Sequence, residues 1–127
     1  MDIILTLHSL NRWLIVVVAA IAAIKFLAGW LRKSDFEQLD GRLMMLYTIL
    51  LDIQLLMGII LLLSGQLVRY RLEHAITMII AIVLAHLSRL WRDKDGPVVF
   101  RNNFLAIVVG LLLIVAGVMV LPQGWLG

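Results

Sequence analysis

The stretch WLIVVVAAIAAIKFLAGWL, at residues 13–31, decides the fold class, because it is almost wholly apolar over a length that crosses a bilayer. A helix rises about 1.5 Å per residue and a hydrocarbon core is about 30 Å thick, so roughly 20 apolar residues span it. Three further stretches have the same character: Leu43–Leu63, Ala75–Trp91 and Phe104–Leu121. With their flanks, the four predicted spans cover about residues 8–31, 42–63, 72–92 and 102–121.

The composition leaves little room for anything besides these spans. Hydrophobic residues make up 63% of the 127 residues and the mean hydropathy is +1.05, far above the values of soluble domains. Backbone polar groups must be paired in lipid, and unbroken apolar runs predict helices rather than the alternating strands of a barrel. We therefore expect a single all-α domain over residues 1–127, a four-helix transmembrane bundle with up-down-up-down topology.

The charges predict an orientation rather than a nucleic-acid partner. The net charge is +3, and basic residues that flank membrane spans set topology. Seven basic residues flank one membrane side and three flank the other: Arg32, Lys33, Arg42, Arg89, Arg92, Lys94 and Arg101 against Arg12, Arg69 and Arg71. We expect a multi-pass protein of the bacterial cytoplasmic membrane with both termini outside. The absence of cysteine excludes disulfides, thiolate metal sites, iron–sulfur clusters and c-type haem attachment.

Two histidines recur near the starts of the first and third spans. These spans run in the same direction, so His8 and His74 are predicted at the same membrane face. At about 100° per residue, their helix faces continue through mostly small or polar residues, which belong where helices meet one another. These faces comprise Arg12, Ile15, Ala19, Ala22, Ala23 and Phe26 after His8, and Thr77, Met78, Ala81, Ala85 and Ser88 after His74. Both histidines are therefore predicted to point into the bundle.

The other two spans carry stripes that combine polar residues with glycine. Their members are Tyr47, Gln54, Gly58, Leu61 and Gly65 in the second span, and Asn103, Gly110 and Gly117 in the fourth. Glycine allows close approach of either a neighbouring backbone or a flat macrocycle.

Paired inward imidazoles suggest a b-type haem held by His8 and His74 as ligands of the iron. Arg12, with Arg69 and Arg71, would supply cations for the propionates. Glu73 or Ser9 would hold the second ring nitrogen of an axial histidine. The alternative is that His8 and His74 are interfacial polar residues that cap helix ends.

The remaining ionisable residues within spans receive separate interpretations. His86 follows His74 by twelve residues, which puts it some 120° around the helix and about 18 Å deeper, so we predict a polar contact rather than ligation. Lys25 and Asp52 are costly inside apolar spans, and an ion pair between them is the simplest account. Asp52 lies roughly 160° from Gln54, so one of the two faces away from the bundle, which suggests a larger assembly.

Three short strings resemble a family of small four-helix bacterial membrane proteins labelled cytochrome b-like: HSLNRW at 8–13, DIQLLMG at 52–58 and EHAITM at 73–78. The resemblance covers nearly the whole chain and implies haem ligation by His8 and His74. The family pattern has histidine where this chain has Asp52, so the resemblance implies no ligand from the second span. The second and third spans also resemble one half of a haem A synthase, which needs two such halves.

The sequence thus predicts a haem b-binding electron-transfer protein, or a haem-bearing subunit of a respiratory or photosynthetic complex. Two histidine ligands leave no open iron position, which favours electron transfer over substrate conversion. Its partners would be the lipid bilayer, a quinone or another redox subunit, in a homo- or hetero-oligomer. One alternative is a cofactor-free accessory subunit of a larger membrane complex. Another is a proton relay through Lys25, Asp52 and His86, which the lack of interrupted helices disfavours.

Overall fold

The computed structural model describes residues 2–65, 68–122 and 124. Over these residues the chain forms four long helices: α1 (Asp2–Leu31), α2 (Gln38–Leu63), α3 (Arg69–His86) and α4 (Gly96–Met119). A 3-10 turn at Leu87–Leu90 continues α3. All four segments are long and apolar enough to cross a membrane. The predicted all-α, four-helix membrane bundle is confirmed.

The helices begin earlier than the apolar runs predicted. At the start of α2, Glu37 and Asp40 form a capping box in which each side chain accepts a backbone N–H of the other residue. In α4, Pro97 occupies the first turn, where its missing N–H costs nothing. Polar residues therefore extend both helices beyond their apolar cores.

The four helices occupy the corners of a bundle. α1 packs against α2 and α4, whereas α3 packs against α4 and, over a smaller surface, against α2. α1 and α3 therefore lie at opposite corners. The predicted inward stripes are confirmed by buried residues on each helix: Ile15, Ala19, Ala22 and Phe26; Tyr47; Ala81 and Ala85; Asn103, Gly110 and Gly117.

The two ends of the bundle differ in composition. We call the end where α1 and α3 begin the histidine end, and the end where α2 and α4 begin the basic end. At the basic end Phe36, from the connection between α1 and α2, packs on Phe26 and Phe100 with ring centroids 5.7 and 5.1 Å away. These aromatic contacts tie the connection to α1 and α4.

Candidate functional site

His74 is fixed by a backbone carbonyl of the neighbouring helix. It lies in the second turn of α3, half-buried, with Nδ1 2.7 Å from the Gly117 oxygen of α4. A carbonyl only accepts hydrogen bonds, so Nδ1 carries the hydrogen and donates. In the neutral imidazole Nε2 then keeps its lone pair, which is the arrangement found in metal-bound histidines. The expected partner Glu73 instead pairs with Arg69 at 2.8 Å, so the prediction of Glu73 in this role is wrong.

His8 lies against a glycine of α2. Its Nε2 is 3.4 Å from the position that a Cβ would take at Gly58, so the glycine makes room for the ring. The backbone oxygen of His8 accepts a hydrogen bond of 2.8 Å from Gln54 Nε2. Gln54 therefore faces the bundle and anchors the segment of α1 that carries His8.

His8 and His74 lie at the same end of the bundle, on α1 and α3. A charge on either ring would be felt by the other and by Arg12. Because α1 and α3 occupy opposite corners, the residues meet in the interior rather than along one helix seam. The prediction that both histidines point inward at one membrane face is consistent with this placement.

Side chains also occupy part of the space near His74. Met78 Cε lies 2.7 Å, and Thr77 Cγ2 3.3 Å, from the position that a Cβ would take at Gly117. Gly117 thus accommodates both the hydrogen bond from His74 and the flexible Met78 side chain.

The arginines named as propionate partners have different surroundings. Arg12 is half-buried, and its guanidinium lies over the Trp13 ring, 5.6 Å from the centroid. Arg71 donates a hydrogen bond to the Leu61 oxygen and fills the space beside Gly65. The Arg71 side chain therefore connects α3 to the end of α2. Arg69 is 92% exposed and pairs with Glu73. Arg12 lies near enough to both histidines for its charge to act on them.

A group of hydrogen bonds between uncharged side-chain and backbone atoms lies one helical turn deeper than the histidines. Asn11 Nδ2 donates to Gln54 Oε1 at 2.9 Å and to the Leu50 oxygen at 3.0 Å. Asn11 was not among the predicted site residues, although it lies one turn from His8 and is one of the few amides within a span. Its polarity within an apolar segment is the signal that identifies it.

Lys25 and Asp52 do not pair, so this prediction is wrong. Lys25 forms an ion pair with Asp40, which is 2% exposed. Asp52 Oδ1 lies 2.8 Å from Nε2 of His86, which confirms the predicted polar contact of His86 with a neighbouring helix. Asp40 and Asp52 lie about 18 Å apart along α2, so Lys25, Asp52 and His86 do not form one cluster.

The interior also contains an unsatisfied hydroxyl. Tyr47 is fully buried, and its oxygen finds no hydrogen-bond partner among the described residues. The hydroxyl lies 2.7 Å from the position of a Cβ at Gly110, so the glycine of α4 provides the space that it occupies. The glycine stripe of α4 is thus filled by side chains of other helices, as Gly110 by Tyr47 and Gly117 by Met78.

The donor set fits a haem better than a bare metal ion. Within the described residues no group of three or more histidine, cysteine, aspartate or glutamate side chains could hold a metal. Structural zinc sites use four protein ligands, whereas a haem brings its own equatorial nitrogens and takes axial imidazoles from the protein. Of the two imidazoles at this end, His74 has its tautomer fixed by the Gly117 oxygen, and the Nε2 of His8 faces Gly58 of α2.

Comparisons of the chain with protein families, curated proteins and solved structures found no match.

Proposed function

We propose that this chain is a haem b-binding membrane protein that transfers electrons, alone or as a haem-bearing subunit of a respiratory or photosynthetic complex. The observation that carries the proposal is the contact between His74 Nδ1 and the Gly117 oxygen, beside His8. It leaves one imidazole with a lone pair on Nε2, in the interior of an apolar bundle, close to a second imidazole.

In this proposal each residue of the histidine end has a distinct task. His8 and His74 would hold the haem iron, and the Gly117 oxygen orients the His74 ring and would increase its basicity. Gly58 leaves room for the His8 ring, and Gln54 holds the backbone of His8. Arg12 and Arg71 would balance the charge of propionates near the aqueous boundary. When bound, the haem would supply one-electron chemistry, and two axial histidines would leave no position for a substrate.

The proposal includes a location and partners. By the excess of basic residues at the basic end, both termini lie outside the bacterial cytoplasmic membrane. The haem would then lie toward the outer leaflet, where a quinone or a neighbouring redox subunit exchanges electrons with it.

A reduced-minus-oxidised absorption spectrum of the purified protein tests the proposal. We expect the sharp bands of low-spin haem in the unaltered chain and in His86→Ala, which changes a histidine outside the site. His8→Ala and His74→Ala should each lose these bands while remaining helical. A folded, colourless protein from cells with ample haem would contradict the proposal.

One observation favours a second candidate, a cofactor-free accessory subunit of a larger membrane complex. The side chains of Asp52 and His86 are 47% and 34% exposed, on the outside of two predicted spans. An ionisable pair facing hydrocarbon is costly, and contact with another chain would lower that cost. Asp52→Leu combined with His86→Leu should then keep the monomer folded but reduce its assembly, as measured by cross-linking in membranes. Unchanged assembly would argue against this candidate.

A further inference from the structure

A cavity of about 310 Å³ lies at the basic end, away from the histidines. It opens to the surface and is bordered by the last turns of α1, the connection to α2, the first turn of α2 and Phe100 of α4. This volume is at the lower end of the range for small-molecule sites, about 300–1,000 Å³. The side chains that matter for its chemistry are Lys25, Arg32, Asp35, Glu37, Asp40 and Phe100.

The walls of the cavity are held in place by packing. Phe36 inserts between Phe26 and Phe100, so the connection that carries Asp35 and Glu37 is anchored to two helices. On the α2 side, the Glu37 N–H donates to Asp40 Oδ2 at 2.9 Å. The shape of the cavity is therefore set by the fold rather than by a mobile loop.

Two opposite charges at the rim are left without partners. Lys25 is neutralised by Asp40. Arg32 and Asp35 are both exposed, and within the described residues neither side chain forms a hydrogen bond or an ion pair. Glu37 adds a second carboxylate, which accepts a backbone N–H in the capping box. The rim thus offers a cation and two carboxylates to the same bound molecule.

The position of the cavity suggests a ligand with an apolar part. It lies where two predicted spans end, at the depth of lipid headgroups. Apolar residues next in sequence to the lining residues Lys25, Arg32 and Asp40 are strongly exposed: Ile24 is 72%, Leu31 70% and Leu39 62% exposed. These side chains provide a surface for acyl chains next to the charged rim.

We infer that this cavity binds the headgroup of a phospholipid that carries a primary ammonium, namely an ethanolamine lipid. The guanidinium of Arg32 binds the phosphate, because a planar fork of donors matches its oxygens. The ammonium donates hydrogen bonds to the carboxylates of Asp35 and Glu37, which a choline headgroup cannot do because its quaternary nitrogen carries no N–H. The lining contains two cations and three carboxylates, so the additional carboxylate of a serine headgroup would be repelled.

Lipid retention measured by native mass spectrometry tests this inference. The probe is the full chain in nanodiscs of phosphatidylcholine that contain phosphatidylethanolamine, phosphatidylserine or phosphatidylglycerol, followed by release into mild detergent. We expect retention of the ethanolamine lipid about tenfold or more above the choline lipid, which corresponds to one charge-assisted hydrogen bond. Asp35→Asn should abolish this preference, whereas Arg32→Gln should lower the retention of every phospholipid.

Two variants of the other connection at the basic end serve as matched controls. Arg92→Gln and Asp93→Asn alter exposed residues outside the cavity and should retain ethanolamine lipid like the unaltered chain. Because Arg32 and Asp35 are themselves exposed, their variants should keep the helical circular dichroism of the unaltered chain. Equal retention of ethanolamine and choline lipids by the unaltered chain would overturn the inference. Equal retention of phosphatidylglycerol, or equal losses in the control variants, would do the same.

Discussion

At the histidine end α1 contacts α2, and α3 contacts α4, through hydrogen bonds between uncharged groups, whereas at the basic end α1 contacts α2 through an ion pair and α4 through packed aromatic rings. Asn11, Gln54 and the Gly117 oxygen make the contacts of the first kind. The pair of Lys25 with Asp40 and the contacts of Phe36 represent the second. The two ends of the bundle therefore hold their helices together by different chemistry. The histidine end keeps an imidazole lone pair available, while the basic end fixes the register of α1 and α2.

The largest effect should come from Phe26→Ala, which removes a fully buried ring from the aromatic cluster. We expect a loss of about 3 kcal/mol in the free energy of unfolding, because the cavity remains even where lipid replaces water as the reference. Denaturation by sodium dodecyl sulfate would measure it. The control Ile24→Ala, at a side chain that is 72% exposed, should change stability little. Similar losses of stability in both variants would show that the aromatic cluster does not anchor the helices.

Asp40→Ala should be the next most harmful change. It removes the partner of Lys25 and the acceptor of the Glu37 N–H, so we expect a loss of about 2 kcal/mol. The loss is moderate because Lys25 is 41% exposed and its ammonium can reach water. The same denaturation assay applies, with Asp93→Ala as an exposed control. A loss no greater than that of the control would mean that the pair does not anchor α2.

The hydrogen bonds of Asn11 and Gln54 at the histidine end should contribute less to the free energy of unfolding. Asn11→Leu and Gln54→Leu should each cost about 1 kcal/mol, with a coupling of roughly 0.6 kcal/mol between them, as for other hydrogen bonds between membrane helices. A double-mutant cycle measures the coupling directly. Strict additivity would show that the two amides act independently. A coupling energy as large as the stability loss of Asp40→Ala would show that the two ends of the bundle are stabilised equally by these contacts.

The smallest effect concerns the end of α1, where Lys33 has φ of 54°. Its N–H donates to the Trp30 oxygen, and the Ser34 N–H donates to the Gly29 oxygen, which is the bonding of a helix C-terminal cap. Glycine adopts this conformation without steric cost, so Lys33→Gly should stabilise the protein by about 1 kcal/mol or less. Lys33→Ala keeps the Cβ and should give no gain. A gain of equal size with alanine would point to the lost charge instead of the backbone.

Much of the architecture was predictable because lipid imposes strict rules on a sequence. Four apolar runs of span length predicted four helices, and the phase of small and polar residues predicted which faces are buried. His86 was predicted to make a polar contact because it lies on a different face of its helix from His74. The site itself was predictable only as a pair of inward imidazoles.

The pairing of charges was not predictable, and the reason lies in the start of α2. Predicting that α2 begins near residue 42 left Asp40 in a loop and made Asp52 the nearest acid for Lys25. The capping box extends α2 to Gln38 and brings Asp40 into its first turn, opposite Lys25 on the antiparallel α1. A shift of one helical turn therefore changed the partner.

By itself the sequence determined the number of helices, their inward faces and the membrane environment, because burial in lipid depends on the periodicity of apolar residues along one helix. The tertiary structure alone decided which groups meet: His74 with the Gly117 oxygen, His8 with Gly58, and Asp52 with His86. These contacts depend on the relative register of separate helices. That register is set by caps and connections, which carry weaker sequence signals than the spans they join.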